Sequence, residues 1–201
     1  MEISTIGVVG SGQMGNGIAQ VAACSGFQVI MVDIEQSYLE RGMNAIRDSL
    51  ERLVRKDRMT GEQSTEAMSL ISTGIGLANL SDCDLVIEAI PEIPELKFST
   101  FSELDSTCKS DAILASNTSS ISISEIASHT SRPERVIGMH FMNPVPIMKL
   151  IEVINGPDTS SEVTSAVLSA SERMGKTPLT CMDSPGFVSN RILCPMINEA
   201  I

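Results

Sequence analysis

The sequence predicts an α/β protein built on a mostly parallel, doubly wound sheet. Two observations predict it. Short apolar runs without polar alternation, as in strands buried on both faces, alternate with segments of helical spacing. The first of these runs ends in glycines, and a helix opens directly from them.

The elements follow in order. "TIGVVGSG" is a buried strand, and "QMGNGIAQVAACSG" a helix stopped by Gly26. "FQVIMVD" is a second strand that ends in Asp33. Residues 35–58 space Leu39, Met43, Ile46, Leu50, Leu53 and Val54 along one face of a long amphipathic helix. Residues 59–82 are rich in loop formers, with room for a short helix and strand. "DLVIEAI" is a strand, and Pro94 starts a helix over 94–107. "AILASN" is a strand, and "ISEIASHT" a short helix. "RVIGMHF" and "KLIEVI" are strands joined by the stiff "MNPVPIM". A helix near 160–174, a strand over 177–182 and a terminal helix after Pro185-Gly186 complete the chain.

Composition narrows the function. The 201 residues are 42% hydrophobic and 19% charged, enough for one large core or one and a half domains. A net charge of −11 argues against nucleic acid as a partner. Five cysteines without a C-x-x-C pair read as reduced thiols, and two histidines are too few for a metal cluster. No run approaches the roughly 18 apolar residues of a membrane span. The first strand begins almost at residue 1, without room for a signal peptide, so a cytoplasmic protein is expected; a peroxisomal address beyond residue 201 would be invisible. The last helix carries Ile192, Leu193, Met196, Ile197 and Ile201 and reaches residue 201 without a capping residue. The expected organisation is a domain over 1–184, then, over 185–201, the first helix of an incomplete all-helical domain.

Two constellations carry chemistry. Gly10-Ser11-Gly12-Gln13-Met14-Gly15 matches G-x-G-x-x-G between a strand and a helix, and Asp33 ends the next strand near the usual spacing of about 20 residues. Gly10 permits the tight turn, Gly12 lets a pyrophosphate approach the backbone, and Gly15 lets helix and strand pack. Gln13 and Met14 open the helix whose positive end receives the pyrophosphate. A carboxylate at Asp33 suits the ribose hydroxyls and repels a 2′-phosphate, so the expected cofactor is NAD. The second constellation is His140 and Glu152, each in an apolar run. Oxidising an alcohol needs a base for the hydroxyl proton, and a carboxylate can orient a histidine for that task. From spacing alone the pair reads more readily as a satisfied core histidine beside an unrelated glutamate.

The wording around these residues changes that balance. The chain resembles the 3-hydroxyacyl-CoA dehydrogenase family, including its 3-hydroxybutyryl-CoA dehydrogenases, from residue 5 to residue 201. The resemblance rests on "GVVGSGQMGNGIAQVAA", "LVIEAIPE", "ASNTSSISI", "GMHFMNPVPIMKLIEVI" and "SPGFVSNRIL". It implies a Rossmann-like domain, then a helical domain that also makes the homodimer contact, of which this chain would hold one helix. It implies NAD-dependent interconversion of (S)-3-hydroxyacyl-CoA and 3-oxoacyl-CoA, with His140 as acid-base group and Glu152 as its partner. Ser119 and Asn190 would support the substrate oxygen, and Asn143 would lie nearby. Asp33, Glu92, Lys97 and Asn117 would face the cofactor. One departure is Glu92-Ile93-Pro94, where relatives often read Glu-Asn; it puts Lys97 in doubt.

Other readings stay open. Arg52, Arg55, Lys56 and Arg58 form a basic strip that suits the phosphates of coenzyme A, or a solvated mixed-charge face. Thr118, Ser119 and Ser120 could instead cap the next helix. His129 reads as a solvated loop residue without a partner. Met139, Met142 and Met148 read as core or acyl-pocket filler. Rival functions are a sugar-acid dehydrogenase of the same fold, and an NAD-binding fragment without turnover.

Overall fold

The computed structural model describes residues 2–201. Strands β1 (Thr5–Val9), β2 (Gln28–Asp33), β3 (Ile71–Ile75), β4 (Leu85–Glu88), β5 (Ile113–Ser116), β6 (Val136–Phe141), β7 (Leu150–Asn155) and β8 (Thr177–Met182) form one sheet. Its order is β3-β2-β1-β4-β5-β6-β7-β8. All neighbours pair in parallel except β6 and β7, which are antiparallel. The chain order reverses direction across the sheet between β1 and β4, the crevice where open α/β sheets bind ligands.

Helices α1 (Gln13–Cys24), α2 (Gln36–Arg55), α3 (Gly61–Ser69), α4 (Pro94–Thr107), α5 (Ile123–Ala127), α6 (Ser161–Arg173) and α7 (Ser189–Glu199) complete the fold. One core layer joins Ile18, Leu39, Ile46 and Val167 to one face of the sheet. The other joins Phe101, Leu104 and Ile126 to the opposite face. Strands covered on both faces need no polar alternation, which is why β4, β5 and β6 are buried throughout.

The predicted elements are present, with one region more ordered than its composition suggested. Residues 59–82 hold α3, the edge strand β3 and a 3-10 turn over Leu77–Leu80. Thr60 caps α3 by accepting the Gln63 amide, and the Gln63 side chain accepts the Thr60 amide in return. His129 also differs from expectation: it is exposed, but its ring stacks on Phe98 at 4.3 Å. Met139 is buried core, whereas Met148 is exposed. Helix α7 buries none of its residues, and Ile192, Leu193, Met196 and Ile197 face outward. No described helix is long and apolar enough to cross a membrane.

Candidate active site

The glycine turn behaves as its spacing predicts. Gly10 holds φ +96°, a conformation that glycine adopts without strain. A Cβ on Gly15 would lie 1.8 Å from the Gly10 carbonyl oxygen, so only glycine lets α1 start this close to β1. A Cβ on Gly12 would meet nothing within 4 Å, so the backbone there lies open to a ligand. No side chain caps α1 and no acidic residue occupies its first turn. Its leading N–H groups are therefore free to receive an anion.

This turn borders a cavity of about 960 Å³ whose wall includes Gly12, Gln13, Met14, Asp33, Tyr38 and Ile90. The Asp33 carboxylate is held on both oxygens. Oδ2 accepts from the Ser11 amide at 2.8 Å and the Ser11 hydroxyl at 2.6 Å, and Oδ1 accepts from the Ile34 amide at 2.8 Å. Ser11 is a functional residue that the glycine pattern passes over as an "x". Helix α2 packs close to this turn: a Cβ on Gly42 would lie 2.8 Å from the Ser11 carbonyl oxygen, so glycine is needed at position 42. An open glycine cradle, an uncapped helix start and a fixed carboxylate together fit the pyrophosphate and ribose of NAD. Asp33→Ala is expected to weaken NADH binding roughly tenfold or more, by loss of charge-assisted hydrogen bonds. It should also narrow the preference over NADPH; fluorescence titration with both cofactors checks it.

His140 lies one residue from the end of β6, at the same carboxyl edge as the ends of β1, β2 and β4. The antiparallel register sets His140 directly opposite Glu152. The His140 Nδ1 to Glu152 Oε2 distance is 2.7 Å, with Glu152 fully buried and His140 9% exposed. Burial pushes the Glu152 carboxyl up, but hydrogen bonds from His140, Ser189 and Val188 outweigh it and hold the group below the ordinary carboxylate value. An ionised Glu152 keeps the proton on Nδ1 and leaves Nε2 as the ring nitrogen that exchanges protons.

Glu152 has a second role that its own run does not announce. Its Oε1 accepts from the Val188 amide at 3.0 Å and the Ser189 amide at 2.7 Å, at the start of α7. The turn that delivers these amides carries Gly186 at φ +75° and Phe187 at φ +49°. The Phe187 ring packs against His140, centroids 6.0 Å apart. At the residue after Ser189, the Asn190 side-chain Nδ2 donates to the Ser119 backbone carbonyl at 3.2 Å. Contacts among these elements place His140, Glu152, Asn190 and Ser119 in one connected assembly.

The cofactor-side expectations divide. Glu92 reaches toward the serine loop: its Oε1 accepts from the Thr118 hydroxyl, the Ser119 amide at 2.9 Å and the Ser120 hydroxyl at 3.2 Å. Asn117 accepts the Phe141 amide at 2.9 Å, tying the end of β5 to the end of β6 beside His140. Asn143 is exposed, in the connection after β6 and before the cis peptide to Pro144. Lys97 is held by carboxylates at the base of the serine loop. It is 1% exposed, and its ammonium pairs with Glu88 at 2.5 Å and Glu92 at 3.2 Å. Pro94 sets the first position of α4, and from that start Lys97 turns inward. The alternative helix-cap role for the serines also falls elsewhere: Ser122 caps α5, while the Thr118 hydroxyl accepts the Ser120 and Ile121 amides.

A profile of the family described as "3-hydroxyacyl-CoA dehydrogenase, NAD binding domain" matches residues 5–184. The chain belongs to the 3-hydroxyacyl-CoA dehydrogenase family. Within that family, a 3-hydroxybutyryl-CoA dehydrogenase of Bradyrhizobium diazoefficiens is 49% identical over 99% of this chain and 68% of the relative. A 3-hydroxybutyryl-CoA dehydrogenase of Clostridioides difficile is 45% identical over 98% of this chain and 70% of the relative. The crystal structure of (S)-3-hydroxybutyryl-CoA dehydrogenase from Ralstonia eutropha superposes with a TM-score of 0.97 at 47% identity, covering 99% of this chain and 70% of that one.

Proposed function

We propose that this chain is an NAD-dependent 3-hydroxyacyl-CoA dehydrogenase that interconverts (S)-3-hydroxybutyryl-CoA and acetoacetyl-CoA. One observation carries the chemistry: a buried His140–Glu152 pair at the edge of the sheet where the glycine cradle opens. The relatives named as 3-hydroxybutyryl-CoA dehydrogenases support the substrate class.

NAD bound at the cradle supplies a hydride acceptor, and NADH a hydride donor. The chain's residues supply the rest. In oxidation His140 takes the 3-hydroxyl proton on Nε2, and in reduction it returns it. Glu152 fixes the productive tautomer and stabilises the imidazolium. Ser119 and Asn190 support the substrate oxygen, where charge changes most along the reaction. The exposed strip of Arg52, Arg55, Lys56 and Arg58 at the end of α2 suits the phosphates of coenzyme A.

We also read residues 1–184 as the nucleotide-binding unit and 185–201 as the opening of a helical unit. The outward apolar face of α7 supports this division, and a homodimer contact through that unit fits the same face. Five free cysteines agree with a reducing compartment such as the cytoplasm.

The deciding experiment is NADH oxidation with acetoacetyl-CoA, run beside NADH binding on the 201-residue chain. Turnover is the expected result. Binding without turnover favours the reading of a cofactor-binding unit that needs more of α7's surroundings. Absence of both in a folded sample removes the cofactor assignment.

A further inference from the structure

A second set of buried charges, as deep as Glu152, lies outside the His140–Glu152 pair: Glu88 is 0% exposed and Lys97 1%. Glu88 ends β4 and is fully buried. Its Oε1 accepts from Lys97 at 2.5 Å and from the Ile90 amide at 2.7 Å, and its Oε2 accepts from the Ser116 hydroxyl at 2.6 Å. Both carboxylate oxygens are thereby occupied, and an interior carboxylate of this kind survives only with such partners. Lys97 in turn donates to the Ile90 carbonyl at 3.3 Å and faces Glu92 Oε2 at 3.2 Å. Glu92 spends its other oxygen on Thr118, Ser119 and Ser120. Burial alone would raise the Glu92 carboxyl, but the Thr118 hydroxyl, Lys97 and the Ser119 amide lower it.

We infer that Glu88 is a positioning residue: acting through Lys97, it aims Glu92 and so fixes the Ser119 loop that receives the substrate. This rests on the reading of Ser119 as a group that holds the substrate oxygen. The logic is one of anchoring. Glu92 is partly exposed and precedes α4, so its position depends on the groups that hold its two oxygens. Lys97 faces its Oε2 at 3.2 Å, and Lys97 is itself held by Glu88 inside the protein. Ser116 extends the anchor to β5, the strand that leads directly into the Asn117–Ser120 loop. The sheet edge and the substrate loop are therefore joined from two sides, by the ion pairs of Lys97 and by the hydrogen bond from Ser116. Lys97 in this arrangement is an internal counter-ion, and its loss should disturb the substrate before it disturbs the cofactor.

The test compares Glu88→Gln and Ser116→Ala with the wild-type chain, by amide hydrogen exchange and by ligand titration. Exchange of the Ser119 amide is expected to quicken at least tenfold in Glu88→Gln, while amides of β1 and β2 keep their rates. The KM or Kd for acetoacetyl-CoA should rise about tenfold with the Kd of NADH unchanged within twofold. Ser116→Ala should move the same readouts in the same direction by less. The effect of Glu88→Gln should also be largely absorbed in a Ser119→Ala background, as expected for residues that act through one another. A merely structural role would lower the melting temperature, leave Ser119 exchange in step with β1, and multiply independently with Ser119→Ala. Unchanged Ser119 exchange in folded Glu88→Gln overturns the inference. A parallel loss of NADH affinity overturns it in favour of Lys97 as a cofactor contact. If Glu88→Gln does not fold, Ser116→Ala decides by the same exchange criterion. A wild-type chain that binds neither NADH nor acetoacetyl-CoA defeats the functional reading instead, and the exchange comparison then judges the anchor alone.

Discussion

His140→Ala is expected to lower kcat for acetoacetyl-CoA reduction by about 10²–10⁴-fold, the usual contribution of a positioned acid or base. NADH affinity should stay within about twofold, because the cradle of Gly10, Gly12 and Asp33 lies in the turn after β1 and at the end of β2, away from β6. The fold should also survive, since Glu152 keeps two backbone donors from α7. Stopped-flow reduction and fluorescence titration on one preparation check both halves. A folded variant that loses NADH binding would place His140 in the wrong site.

Glu152→Gln is the second large effect, and it separates two functions of one carboxylate. The amide preserves shape but removes the charge that stabilises the imidazolium and fixes its tautomer. A loss of roughly 10²–10⁴-fold in kcat is expected, close to that of removing the histidine itself. The same change weakens the start of α7, where a neutral oxygen replaces the ionised acceptor of Val188 and Ser189. That should cost about 1–3 kcal/mol of stability. The pH dependence follows from the depressed carboxyl of Glu152. Its stabilising contribution is present above the unfolded carboxylate value of about 4.3 and disappears as pH falls through the lower folded value. Glu152→Gln should therefore flatten the stability curve in that acid window, measurable by denaturant titration from neutral pH downward. A variant with an unaltered slope would show that other carboxylates dominate there.

Other expectations depend on more of the molecule and reach less far. Asp33 tests cofactor choice at one end of the site, and Glu88 tests the support of the Ser119 loop at the other. Their outcomes are separable because the first acts on the cradle between β1 and β2, and the second on the ends of β4 and β5.

Much of this protein is legible in short stretches. Period and punctuation announce β1, α1 and β2, and α4 begins at Pro94 where the proline indicates. The glycine cradle and Asp33 belong to one β-α-β unit, so their spacing along the chain nearly sets their spacing in space. Residues 59–82 were harder, because α3 and β3 buy their order through contacts rather than through strong local pattern: β3 pairs only with β2. The family wording supplied His140, Glu152, Ser119 and Asn190 as a set, but not the bonds that make them one. Those bonds cross 12, 36 and 71 positions of chain. They exist because β6 and β7 pair antiparallel in one register and because the Gly186–Phe187 turn brings α7 back over Glu152. The fate of Lys97 is of the same kind. Its sequence position says only that it lies in the first turns of α4; the sheet puts Glu88 beneath it, and a buried ammonium goes to the nearest carboxylate. Local pattern encodes what a chain segment can become. Which side chains then share a site depends on strand order and register, which the whole sheet settles at once.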